Sequence, residues 1–133
     1  MKNLIIIIIS LFIGAMLMLT FLHYVKYEGP PELTLEKWGE IVKSGKPVVI
    51  LVTSENCRAC RVYEPIFFHV AKEMKNEATF YKLSYWGEAH DVALYLKVDK
   101  VPTTIIFRGK IIKKFVGIRQ KEILKAVVKR YAK

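Results

Sequence analysis

The sequence predicts an α/β domain with a mixed sheet of four or five strands, preceded by a single N-terminal transmembrane helix. Three observations predict it. Pro47 to Thr53 (PVVILVT) is a continuous β-branched run, the pattern of a strand buried on both faces. Helix and strand signals alternate from Thr34 onward, as a parallel strand–helix–strand crossover requires. Leu4 to Leu22 is a run of 19 residues without a charge, interrupted only by Ser10, Gly14 and Thr20. At helical rise it spans roughly 28 Å, against a bilayer core of about 30 Å.

The run is longer than the apolar core of a cleaved signal peptide, about 7–15 residues, and no small-x-small site follows it. Phe21 and Leu22 end the run and His23, Tyr24 and Val25 come next, none of them small. We expect a retained anchor, with residues 1–27 as anchor and flanks, 28–33 as linker and 34–133 as the folded domain. Lys2 lies on one side and Lys26 and Lys37 on the other, so the positive-inside rule gives little contrast. A short N-terminus before one anchor stays inside, which puts the domain on the extracytoplasmic (periplasmic or outer) face of a single-pass protein. Tyr24 and Tyr27 suit the interfacial belt. Glu28-Gly29-Pro30-Pro31 reads as a short, stiff, extended linker.

The domain elements follow in order. Thr34 caps a helix over Leu35–Lys43 with Leu35, Trp38, Ile41 and Val42 inward, ended by Gly45. Cys57–Met74 reads as a helix with Val62, Ile66, Phe67, Val70 and Met74 inward and Pro65 kinking it. Ala78–Tyr85 reads as a strand and Glu88–Leu96 as a short helix. Thr103–Arg108 and Ile111–Val116 read as strands joined by a two-residue turn at Gly109-Lys110. Arg119–Tyr131 closes the chain as a helix with Ile123, Leu124, Val127 and Val128 inside. Trp86 is expected over the core edge, with a partner contact as the alternative, and His69 on the surface.

The chemistry centres on Cys57-Arg58-Ala59-Cys60, which holds both cysteines of the chain. Such a pair, set between an apolar strand and a helix, reads first as a redox pair. An inert disulfide is one alternative. Zinc is another, but it takes about four N or S ligands; there is no second C-x-x-C, and His23, His69 and His90 are scattered. We expect no metal. A helix N-terminus, with Arg58 and Arg61 adding positive charge, favours a thiolate at Cys57. Cys57 is then the nucleophile and Cys60 the resolving thiol. Glu64 falls one turn after Cys60 on the same helix face and is a candidate to relay the resolving proton.

The net charge is +10. Lys110, Lys113 and Lys114 cluster, as do Lys121, Lys125, Lys129, Arg130 and Lys133. Anionic lipid or an acidic partner suits such a surface, as does simple solvation. No nucleic-acid motif is present, and no nucleic acid is expected as a partner.

The set Cys57, Cys60, Pro65 and Val101-Pro102, with VPTTIIFRGKIIKKFVG ending at Gly117, resembles the thioredoxin family over about residues 33–131. The resemblance implies a three-layer thioredoxin-like fold, a cis peptide at Pro102, and a substrate-binding loop at Val101 and Pro102 beside the cysteines. It also puts Lys82 where many members carry a lysine near the active site. Leu51 stands where many members have a buried acid, Asn56 where they have tryptophan, and Arg58-Ala59 where they have Gly-Pro. The implied function is thiol–disulfide exchange with protein thiols and disulfides. The Cys57–Cys60 disulfide is the only redox group and there is no other cofactor. A membrane or soluble electron donor or acceptor recycles the pair. We expect a reductant; the alternatives are a disulfide-forming oxidant or isomerase, or a non-catalytic tethered binding or chaperone module. Arg58, by favouring the thiolate, pushes toward the oxidant.

Overall fold

The computed structural model describes residues 1–25 and 29–132. Lys26, Tyr27 and Glu28 of the expected interface and linker, and Lys133, lie outside the described residues. The elements are α1 (Lys2–Val25), α2 (Leu35–Ser44), β1 (Val48–Thr53), α3 (Arg58–Glu73), β2 (Thr79–Ser84), α4 (His90–Tyr95), β3 (Thr103–Phe107), β4 (Ile111–Val116) and α5 (Lys121–Tyr131).

The sheet is four-stranded in the order β2-β1-β3-β4. β1 runs parallel to β2 and antiparallel to β3, and β4 is antiparallel to β3. Strand periodicity divides β1 between two cores. Val48, Ile50 and Val52 join Ile41 of α2, Val92 and Ala93 of α4 and Leu96 just after it on one face. Val49 and Leu51 join Tyr63, Phe67, Val70, Leu124 and Val128 of α3 and α5 on the other. The result is three layers, helices–sheet–helices, and it explains why β1 has no polar face.

Among the described residues no fifth strand forms. Pro31, Glu32 and Leu33 instead lie along β2: the Leu33 N–H donates to Lys82 O at 2.7 Å and the Lys82 N–H to Pro31 O at 3.0 Å. Pro31 has no N–H to extend this ladder.

The apolar stripes are narrower than the sequence pattern predicts. Leu35 and Val42 of α2, Val62 of α3 and Ile123 of α5 are exposed. The buried stripe of α3 is Cys60, Tyr63, Phe67, Val70 and Ala71, at i, i+3, i+7 spacing that leaves Val62 one residue off. α3 runs through Pro65 as one element. The β3–β4 link is also different. Phe107 pairs with Ile111 across a register shift, so Arg108, Gly109 and Lys110 form a three-residue connection with Gly109 at φ +67°. Only glycine adopts that backbone without cost.

Candidate active site

Cys57 is the N-cap of α3. Its Sγ accepts the Cys60 N–H at 3.1 Å, and its own N–H reaches Ser54 O at 3.3 Å. A helix start with unpaired N–H groups is where a sulfur gains most from the backbone dipoles. The two cysteines lie within disulfide distance, with Cα atoms 5.2 Å apart. They are unequal: Cys57 is half-buried, whereas Cys60 is 1% exposed, packed inside the first turn. Arg58 and Arg61 are exposed on that turn.

The Val101-Pro102 loop meets this turn from across the sheet, with the Val101 carbonyl oxygen 3.7 Å from Cys57 Sγ. The Val101–Pro102 peptide is cis. Gly117, at φ +92°, donates its N–H to Pro102 O at 2.8 Å, and Thr103 Oγ1 donates to Lys100 O at 2.6 Å. The loop is thus held on both sides.

One row of side chains crosses the sheet under α3: Lys82, Leu51, Thr104 and Phe115, on β2, β1, β3 and β4 in register. Register partners share a face. The first turns of α3 bond to this row on both sides of Leu51. Tyr63 hydroxyl meets Thr104 Oγ1 at 3.0 Å in the fully buried interior. Burial pushes the Tyr63 phenol above its ordinary pKa, so it serves as a neutral hydroxyl. On the other side Glu64 pairs with Lys82 at 3.4 Å, both about a quarter exposed (24% and 29%). The structure therefore brings together Cys57, Cys60, Val101 and Pro102, and puts Glu64 and Lys82 in one ion pair.

Trp86 does not cover the core edge. It is 76% exposed, stacked on His90 at 4.9 Å and set edge-on to Tyr85 at 4.9 Å. The Tyr63–Thr104 bond had no signal in the sequence, because it joins residues 41 positions apart. Among the described residues no group of three or more His, Cys, Asp or Glu is placed to hold a metal ion.

A three-layer fold carrying a C-x-x-C pair at a helix N-cap, met by a Val-Pro loop, defines a thiol–disulfide oxidoreductase. Residues 30–130 match the Thioredoxin family, and the chain belongs to it. It is similar to "Thioredoxin H4" of Arabidopsis thaliana, 32% identical over 88 residues that span 65% of this chain and 73% of the relative. It is likewise similar to "Thioredoxin H-type" of Fagopyrum esculentum, 33% identical over 96 residues, 68% of this chain and 81% of the relative. The thioredoxin structure of Malassezia sympodialis shares the fold with a TM-score of 0.70 at 20% identity, covering 80% of this chain and 94% of that one.

Proposed function

We propose that this chain is a membrane-tethered reductant of protein disulfides. The observation that carries the reading is the Cys57 sulfur at the α3 N-cap, 3.7 Å from the Val101 carbonyl. In the dithiol form the Cys57 thiolate attacks a client disulfide, forming a mixed disulfide and expelling one client thiolate, which takes up a proton. A client strand lies along Val101 and Pro102 during this step. The Cys60 thiolate then attacks Cys57 Sγ and expels the second client thiolate. Two electrons pass to the client, and Cys57–Cys60 is left oxidised. A membrane or soluble dithiol donor restores it, and this pair is the only redox group the cycle uses.

Cys60 must lose a proton in an interior where Leu51 offers no acceptor. We assign that proton to Glu64, one turn away on α3 and held by Lys82. Arg58 tunes Cys57 by favouring its thiolate. That same cation stabilises the dithiol form and favours the oxidant reading, which is the second one kept.

α1 supports the tether. It is long and apolar enough to cross a membrane, and none of its apolar window is buried against the domain, so it is not a core helix. A signal sequence passes the same test of length and composition. We place the anchor at residues 4–22, the linker at 28–33 and the domain at 34–133, on the extracytoplasmic side. Cys57→Ser and Cys60→Ser variants test the exchange. Cys60→Ser should trap clients as mixed disulfides and Cys57→Ser should trap none. Client capture that survives Cys57→Ser unchanged contradicts the enzyme and favours a non-catalytic binding module.

A further inference from the structure

Beside the redox pair runs a groove of about 430 Å³ that the exchange chemistry leaves unused. Ser54–Asn56, after β1, forms one wall and Ser84–Glu88, from the end of β2 onward, the other, with Glu32 alongside. Its charge is opposite to that of the molecule. Glu32, Glu55 and Glu88 line it and no Lys or Arg among the described residues does, in a chain of net charge +10. Glu32 is fixed in place by the Ser84 N–H, which donates to Oε1 at 2.7 Å. Glu55 and Glu88 are exposed, and neither takes part in an ion pair among the described residues.

The groove also presents Trp86, 76% exposed yet held by its stack on His90, whose Nδ1 is hydrogen-bonded to Tyr85 O. An indole held open to water is an anchor for a guanidinium, which binds aromatic faces through cation–π attraction. The carboxylates do not converge on a point that would hold a metal ion. Spread-out negative charge along a groove suits an extended cationic chain rather than a single ion. Asn56 belongs to the wall and immediately precedes Cys57, so a chain in the groove runs directly to the reactive sulfur.

We propose that this groove docks a cationic stretch of the client polypeptide next to its disulfide, with an arginine on the Trp86 indole and paired to Glu55 and Glu88. The inference uses the exchange reading only to identify the client as a disulfide-bearing protein. The net charge of +10 opposes such a client, so any preference for it has to arise locally.

The test uses the full chain in a neutral detergent and two peptides of equal length. Both carry serine in place of cysteine; one is Arg-rich and the other Glu-rich around that position. Equilibrium binding at low salt should favour the Arg-rich peptide by about tenfold, from two exposed ion pairs and one cation–π contact. The Glu55→Gln/Glu88→Gln pair should cut that ratio by at least about threefold, as should Trp86→Ala. The paired glutamine variant changes exposed side chains only, so it carries the test if Trp86→Ala fails to fold. A ratio of one or below, or a ratio unchanged in the glutamine variant, overturns the proposal. Binding needs no turnover. A separate assay with a small uncharged disulfide reads exchange alone, so failure there removes the redox reading and leaves the groove result standing.

Discussion

In the proposed cycle Glu64 takes the Cys60 proton that Leu51 cannot accept. The expected outcome of Glu64→Gln is a slower second step: mixed disulfides should persist at neutral pH, with resolution slowed by about tenfold or more. The rate should recover as pH rises, because hydroxide then removes the Cys60 proton directly. Stopped-flow resolution of a trapped mixed disulfide between pH 6 and 9 measures this, and an unchanged pH profile contradicts the role. Tyr63 makes a different prediction. Tyr63→Phe leaves the Thr104 hydroxyl buried without its partner, at a cost of about 1–3 kcal/mol in denaturant unfolding. Tyr63→Phe/Thr104→Val removes both polar groups and should recover part of that loss. The cysteine pair was legible in the sequence because Cys57 and Cys60 stand three residues apart, and Pro102 because the family resemblance placed it beside them. The partners of Tyr63 and Glu64 were not, since they depend on β3 and β2 arriving beside α3 in a particular register.

Among the elements, α3 and α5 are held together by Glu73 as well as by their apolar stripes. Lys121 Nζ lies 2.8 Å from Glu73 Oε1 and Lys125 Nζ 2.7 Å from Oε2, with His69 Nε2 also at 2.8 Å. Hydrogen bonds from Lys121 and then Lys125 hold the Glu73 carboxyl at about 2, below its ordinary 4.5. A pKa depressed in the folded state gives stability that is fully present above pH 4.5. It is lost as pH falls from there toward 2. Glu73→Gln should therefore flatten the acid limb of unfolding between those values, read by circular dichroism. An acid limb identical to that of the native chain contradicts the hub. Helix and strand order was readable from periodicity. Which apolar residues face inward was not, because Val62 and Ile123 each sit one residue from a buried Tyr63 or Leu124 and the pattern alone treats such neighbours as one stripe. The β3–β4 turn failed for a related reason: Gly109-Lys110 resembles a two-residue hairpin, but the register shift at Phe107 takes in Arg108 as well.

For the molecule as a whole, an apolar helix unburied by the domain precedes a three-layer redox fold. Carbonate extraction of expressing cells should leave the full chain in the membrane fraction, and removal of residues 1–25 should release the domain. Recovery of a shorter soluble chain cleaved after α1 contradicts the tether and marks α1 as a signal sequence. The central claim, that Cys57 and Cys60 form a reversible couple poised to reduce clients, is tested most directly by its reduction potential. The full chain in detergent, equilibrated in glutathione buffers and alkylated, reports the oxidised fraction by mass shift. A reductant of protein disulfides should show a two-electron couple near about −270 mV. A value near about −120 mV contradicts the reductant and makes the chain an oxidant, and no reversible couple at all contradicts thiol–disulfide exchange by this pair.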